Sequence, residues 1–485
     1  MPDKKKGGVQ GNPSSVPSTV AEPFPDNVSK PFWAFKEKRC LADEFFDAYV
    51  SFKELQCEEY FWEWKSRKID ETLMKNLTNS YRAFFSENPI GSGRFLTFMV
   101  NNDNLKDLGK LYMSIILSNE FAKDSGFPNP PLFEVVHNAT TSDSLLHFIN
   151  LYNESVSIAC DKFRKDVGPK NISIIPTHDF SKESSDWFKT LHSYITDYQQ
   201  MFRARVERFR PLIPRSSIAD KAGFVGAVLA TKRALSNYHA FSKILGVDTY
   251  PIIQASVLPF RGGLAPGTVK DFALNYPGLR SVTLSSAFRY DFPVENVIGA
   301  VRLLNKGLSR IPKKIFAKEE GLRIKRIEDV FAKHYAETVK NMPAFTRIND
   351  AMDVHPQIRK TFALYSLGVP PEFIGTGHAL LEMIKEKMVK DLENIYPTIK
   401  QDLITAGRLL NKENLNMLSK TGPFWNSLLK DVSLVEDYVG GSLGPKESED
   451  FVHRNHTSNV FHKMSAGKDF NDDLKAAATA RHCLG

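Results

Sequence analysis

At 485 residues, with 42% hydrophobic and 25% charged side chains, the chain can bury a large core, and its composition excludes disordered, collagen-like and disulfide-stapled classes. Lys and Arg number 64 against 56 Asp and Glu, a net charge of +8 that suits anionic partners. The two signs are interleaved along the chain, so a mildly basic solvated surface is expected, with no nucleic acid as partner. The four cysteines, Cys40, Cys57, Cys160 and Cys483, form no CxxC pair and no zinc spacing. No apolar run approaches a membrane span, and the Lys-rich start lacks the apolar region of a signal peptide. A soluble, cytoplasmic protein with free thiols and no membrane partner is the expectation.

Residues 1–18, rich in Lys, Gly, Ser and Pro, read as a disordered tail, and one domain is expected over 19–485. Residues 41–87 read as helical, with Phe45, Phe46, Tyr49, Val50 and Phe52 on a buried face and Phe61, Trp62 and Trp64 following. Strand candidates then alternate with helices. Phe95 to Val100 precedes a helix at 104–123, and Leu132 to His137 one at 141–165. Ile172 to Asp179 precedes 183–207, and Phe209 to Pro214 precedes 219–245. Tyr250 to Ser256 and Val282 to Asp291 add two more runs, with helices at 268–276 and 293–306. A weaker run at Ala344 to Ile348 and a short one before Phe24 bring the count to eight. Such alternation predicts parallel strands and an α/β fold: a (β/α)8, TIM-like barrel elaborated with many extra helices. From about residue 350 the chain reads as helical, over 361–372, 376–395 and 398–411. His453, His456 and His462 lack metal-ligand spacing.

Chemistry in such a barrel sits on loops at the C-terminal ends of the strands. The residues assigned there are Glu134, Asp179, Ser217, Arg261, Arg289 and Arg347: three arginines facing a few carboxylates. Arg261 is followed by Gly262 and Gly263, and an arginine beside bare backbone N–H groups can hold a phosphate or carboxylate. An ordinary tight turn and salt bridges at the barrel mouth explain the same residues equally well. If the site is real, Asp179, Ser217, Arg261 and Arg289 converge on one small-molecule pocket.

Several segments together resemble the short, archaeal-type phosphoenolpyruvate carboxylases. They are Pro25-Asp26-Asn27, Phe133-Glu134-Val135 with Thr141-Ser142, Tyr250 to Ile253, Pro259 to Gly262, Phe288 to Asp291, Ala363 to Glu372 and the terminal Leu484-Gly485. The resemblance runs from Pro25 to Gly485. It implies phosphoenolpyruvate and bicarbonate as partners, Mg²⁺ or Mn²⁺ as cofactor, and a homo-oligomer, a tetramer. The implied reaction moves phosphate to bicarbonate and then carboxylates the enolate to oxaloacetate. It also implies that Arg261 and Arg289 carry catalysis, with His178 beside Asp179 as a local candidate to join them, that Arg261, Gly262, Gly263, Arg289, Arg347 and Glu134 bind substrate, and that Asp179 ligates metal.

The chain departs from the family pattern at several of these places. Phe24 stands where the family has a histidine, and Phe neither donates a proton nor pairs with an anion. Asp179 replaces a metal-binding Glu, Ser217 replaces a second metal carboxylate, and Met99 replaces an arginine. Arg289 stands in place of a Lys. His178 is the nearest substitute acid or base, with His137, Asp220 and Lys221 further possibilities. Three readings stay open: a divergent carboxylase, a catalytically degenerate homologue acting as an anion-binding, regulatory or structural protein, and altered chemistry on a related acid.

Overall fold

The computed structural model describes residues 16–23, 25–31, 41–63, 72–100, 105–138, 140–163, 172–206, 208–352 and 354–485. Most of the expected tail, with Phe24, Cys40 and Trp64, lies outside them. Eight parallel strands among the described residues form one sheet. They are β1 (Thr19–Ala21), β2 (Glu59–Glu63), β3 (Phe95–Val100), β4 (Glu134–His137), β5 (Ser173–Pro176), β6 (Leu212–Ile213), β7 (Ile252–Ile253) and β8 (Ser281–Leu284). Their order is 5-4-3-2-1-8-7-6. The remaining seam between β5 and β6 is bridged at Thr177 and Leu212, where the His178 N–H donates to the Leu212 carbonyl at 2.7 Å. The sheet therefore closes into the expected barrel. Arg208–Phe209 and Asp248–Thr249 pair separately, in parallel, before β6 and β7.

Side chains alternate across each strand, so every second residue points into the barrel. Val20, Phe61, Val136, Ile175, Leu212 and Ile252 form their own apolar layer, with Met99 packed against it. The intervening residues, among them Ala21, Tyr60, Trp62, Val135 and Ile253, belong to the larger core between barrel and helices. Towards the strand N-terminal ends the inward positions carry Glu59 and Glu134, which meet Arg210. The Arg210 Nη1 donates to Glu134 Oε2 at 2.7 Å, its Nη2 to Glu59 Oε2, and Thr97 Oγ1 donates to Glu59 Oε1 at 2.6 Å. Two carboxylates around one guanidinium close this end of the barrel.

Two expected elements differ. The stretch 41–87 is not continuously helical: helix Leu41–Lys53 gives way to β2, and helices Leu73–Ser80 and Arg82–Glu87 follow. Tyr60, Phe61 and Trp62 are all buried because both faces of a barrel strand are covered, so the aromatic run showed no period of two. Ala344 to Ile348 is not a strand: Phe345 takes a left-handed φ of 57° and helix Thr346–Ala351 begins after it. The eighth strand is thus β2.

The helical part starts at Lys318, earlier than expected. Helix Lys318–Val339 packs along helix Arg215–Leu245, tied by Arg233 to Glu328 at 2.9 and 3.0 Å. Helix Arg215–Leu245 breaks at Gly223, at φ 69° and ψ −178°. A Cβ there would come within 2.9 Å of the Tyr335 ring, so only glycine admits this close approach. Among the described residues no helix is long and apolar enough to cross a membrane.

Candidate functional site

The C-terminal mouth of the barrel is built by continuing the inward period past the apolar layer. Two residues beyond Val20 comes Glu22, two beyond Phe61 comes Glu63, and two beyond Ile252 comes Gln254. Met99, Thr177 and Thr283 complete the ring. Gln254 Nε2 donates to Glu22 Oε1, and Thr283 adds a second bond while its Oγ1 accepts from the Ala255 N–H at 3.2 Å. Burial pushes the Glu22 carboxyl up to about 7; these two hydrogen bonds oppose the rise, and the negative Asp26 and Glu63 add to it.

Behind Glu22, Asp26 is fully buried. It accepts from Ser286 Oγ at 3.0 Å, from the Ala287 N–H at 2.8 Å and from Ser256 Oγ. Asp291 accepts from the Val28 and Ser29 N–H groups, both at 2.8 Å, and burial raises its carboxyl to about 6. The chain end lies over the same loops. The Leu484 N–H donates to the Asp26 carbonyl at 2.8 Å, and His482 Nδ1 lies 2.8 Å from the Asp291 carbonyl.

Each of the expected site residues is already bonded within the fold. Arg289 is 0% exposed and turned towards helix Leu41–Lys53. Its Nη1 donates to Asp47 Oδ1 at 2.6 Å, Ser51 Oγ at 2.9 Å and Tyr290 Oη at 2.8 Å, and its Nη2 to the Glu22 carbonyl at 2.9 Å. Arg261 is also buried, with Nη1 on Asp220 Oδ2 at 2.9 Å and the Ser216 carbonyl at 3.0 Å, and Nη2 on the Gln357 carbonyl at 2.7 Å. Its turn is internally bonded: the Gly262 and Gly263 N–H groups donate to the Pro259 and Leu258 carbonyls, both at 3.0 Å. These donors are not bare. Gly262 at φ 133°, with a Cβ position 2.6 Å from that of Ala255, has a purely conformational reason to be glycine.

His178 is closed off from the mouth by its neighbours. It is buried among Phe180, Trp187 and Phe188, with Nδ1 2.8 Å from the Tyr238 hydroxyl, and burial lowers it to about 3. Glu134 begins β4 and belongs to the opposite end of the barrel, with Arg210; the expectation placed it at the wrong end of its strand. Arg347 lies on a helix rather than a strand, and its Nη1 donates to the Met464 carbonyl at 2.6 Å. His137 is buried with its ring 4.8 Å from that of Phe148, Asp220 holds Arg261, and Lys221 is exposed. Only Arg261 and Ser217 are brought near one another, through Gln357, whose Nε2 donates to Ser217 Oγ at 3.0 Å.

The residues present do not fit Mg²⁺ or Mn²⁺. A hard divalent cation needs several oxygen ligands, carboxylates first. Asp179 Oδ1 already accepts from the Ser181 N–H at 2.9 Å and Ser181 Oγ at 2.5 Å, and Ser217 contributes no charge. Among the described residues no three His, Cys, Asp or Glu side chains gather as ligands.

Glu22 escaped sequence reasoning, and Asp26 and Glu372, though they lie in segments that carry the resemblance, were assigned no role. Glu372 is fully buried and supports the arginine turn, accepting from the Phe260 N–H at 2.8 Å and Tyr365 Oη at 2.5 Å. Counting in twos from Val20 would have found Glu22. Nothing local in the sequence marks Glu372, whose contact with Phe260 spans 112 residues.

A family model described as phosphoenolpyruvate carboxylase matches residues 16–361 and 345–485. The phosphoenolpyruvate carboxylase of Leuconostoc mesenteroides subsp. mesenteroides is 26% identical over 508 residues, covering 97% of this chain and 99% of its own length. That of Oenococcus oeni is 25% identical over 504 residues, covering 97% and 99%. That of Caldivirga maquilingensis is 27% identical over 442 residues, covering 83% and 85%.

Proposed function

This chain belongs to the phosphoenolpyruvate carboxylase family, and from that premise we propose that it keeps the family's barrel without the family's turnover, as a catalytically degenerate member with a regulatory or structural role. The observation that carries this reading is the state of its arginines. Carboxylating phosphoenolpyruvate with bicarbonate requires cationic groups on a multiply charged phosphate and on the enolate as it forms. Arg289 is bonded to Asp47 and Arg261 to Asp220. Each guanidinium thus already holds a carboxylate, and its unbonded Nε is buried.

The oxygen ligands point the same way. Asp179 is turned onto Ser181 and Ser217 has no carboxylate, so no step is routed through a metal. His178, neutral and enclosed by aromatic rings, leaves no proton carrier where one was expected. Each such loss removes several kcal/mol of transition-state stabilisation, by general estimates about 10²–10⁴-fold in rate for one acid–base group.

The contrary reading, an active phosphoenolpyruvate carboxylase, is favoured by the end-to-end match to enzymes of that name. One assay separates the two. Purified protein is given phosphoenolpyruvate, bicarbonate and Mg²⁺ or Mn²⁺, and oxaloacetate is followed through coupled NADH oxidation. The degenerate reading expects no oxaloacetate above the protein-free rate and no rise in melting temperature with either metal. Sustained turnover would overturn it.

A further inference from the structure

In the helical part of the chain a cleft opens where helix Thr376–Lys385 packs on helix Pro423–Val439, with helix Lys318–Val339 along one side. Its larger half, about 500 Å³, is lined by His378, Ser419, Lys420, Asn426, Ser427 and Lys430, with Gly422 and Pro423 at its edge. The smaller half, about 290 Å³, shares His378, Pro423 and Ser427 and continues past Thr338 and Phe424. The geometry points to a binding site for a small phosphate monoester, its phosphoryl group held by His378, Lys420 and Lys430 and its organic part lying towards Phe424. None of these residues belongs to the barrel mouth, so the site stands or falls independently of turnover there.

The charge of the lining comes first. Two lysines and a histidine face the larger half, and no Asp or Glu among the described residues lines it. Lys420 and Lys430 are exposed, and among the described residues neither is paired with a carboxylate. On the other side of His378, Glu337 and Glu382 stand at 3.8 and 2.8 Å from the His334 ring nitrogens. A recess of one sign draws in the opposite ion.

His378 is also held in place from below. Asp431 is wholly buried; its Oδ1 accepts from the His378 N–H at 2.9 Å and lies 2.8 Å from His378 Nδ1, and its Oδ2 accepts from the Gly375 N–H at 3.0 Å. Gly377 permits this approach of the two helices, since a Cβ there would stand 2.2 Å from the Asp431 carbonyl oxygen. The bond to Asp431 raises His378 above the ordinary histidine range, while burial and the nearby Lys430 charge oppose the rise. With Nδ1 on Asp431, Nε2 is the ring nitrogen left for a ligand.

The donor set selects phosphate over carboxylate. A phosphate monoester carries three terminal oxygens and about −1.5 to −2 charges near neutral pH. A carboxylate offers two oxygens and one charge. Three cationic groups, with the Asn426 amide and the Ser427 hydroxyl beside them, match the former. The volume suits a small molecule. If instead Asp431 and His378 serve only to start helix Thr376–Lys385, Lys420 and Lys430 have no common task, and neutralising them alters no binding.

The test is titration calorimetry of the full chain at pH 7 with glycerol 3-phosphate, inorganic phosphate and acetate, and with glycerol as the uncharged control. Wild type is compared with His378→Asn and with Lys420→Gln combined with Lys430→Gln, each checked for native melting. Saturable wild-type binding of glycerol 3-phosphate is expected at about millimolar or tighter, with inorganic phosphate weaker and no binding of acetate or glycerol. The lysine pair variant, altered only at exposed positions, should keep its melting temperature and lose at least about tenfold in affinity. His378→Asn should weaken binding as well; if it does not fold, the lysine pair variant decides alone. Wild type that binds neither phosphate overturns the proposal. So does a lysine pair variant that binds as tightly as wild type, because the anion then sits elsewhere. Acetate binding as tightly as glycerol 3-phosphate would sink the phosphate assignment.

Discussion

Replacing Asp47 with Ala separates a structural Arg289 from a ligand-binding one. The Arg289 guanidinium is wholly buried, and among the described residues Asp47 is the carboxylate bonded to it, at 2.6 Å. Ser51, Tyr290 and the Glu22 carbonyl supply oxygens without charge. Removing the carboxylate strands a cation in a site that water does not reach. Breaking one half of a buried pair in this way costs about 3–5 kcal/mol. The variant should therefore denature at much lower urea than wild type, with both followed by circular dichroism. Replacing the two partners together, as Asp47→Leu with Arg289→Met, should recover most of that loss, since apolar groups of similar size substitute well for a buried pair. A loss below about 1 kcal/mol for Asp47→Ala, the value of a solvated pair, would refute the reasoning. The guanidinium would then be hydrated and available to an anion.

Two further predictions concern pH. Burial holds the Glu372 carboxyl at about 7, above its ordinary 4.5, so the stability tied to its neutral form is full below pH 4.5 and is lost as pH rises through 7. Glu372→Gln should therefore gain about 3 kcal/mol more at pH 8 than at pH 4 in denaturant titrations, and equal gains at both would refute this. His178, held at about 3, is neutral in the folded chain while the unfolded chain takes up a proton below pH 6.5. Its contribution is present above 6.5 and is lost as pH falls towards 3, so His178→Phe should flatten the acid limb of the stability curve. An unchanged limb would show that the aromatic cage admits water.

The barrel was legible because its strands end where turns begin. Phe95 to Val100, Glu134 to His137 and Ser281 to Leu284 are short apolar runs between helical stretches, and local sequence is enough to find them. β2 was not, because Tyr60 and Trp62 face helices while Phe61 faces the barrel, and three aromatics in a row carry no period. The candidate site was legible in position but not in direction. Arg289 and Arg261 do lie just past β8 and β7, as expected. Which way each guanidinium turns depends on Asp47 and Asp220, 242 and 41 residues away in sequence, and no local pattern reports that. Glu134 shows the same limit at smaller scale: in a strand of four residues, one end lies at the floor of the barrel and the other at its mouth.

The clamp of Arg210 between Glu59 and Glu134 has a consequence for how this lineage changes. It joins β2 and β4 to the approach of β6 and fixes their register, since a slip by one residue would carry a glutamate out of the barrel and leave the cation stranded. Closure is thus anchored at the floor, with the apolar layer of Val20, Phe61 and Val136 lying between it and the loops above. The upper rim adds the Thr177–Leu212 bridge and the Gln254–Glu22 bond to that closure, and its other side chains are freer to answer to whatever task the rim performs. A family member built this way can lose one chemistry, and try out another, without first becoming unable to fold.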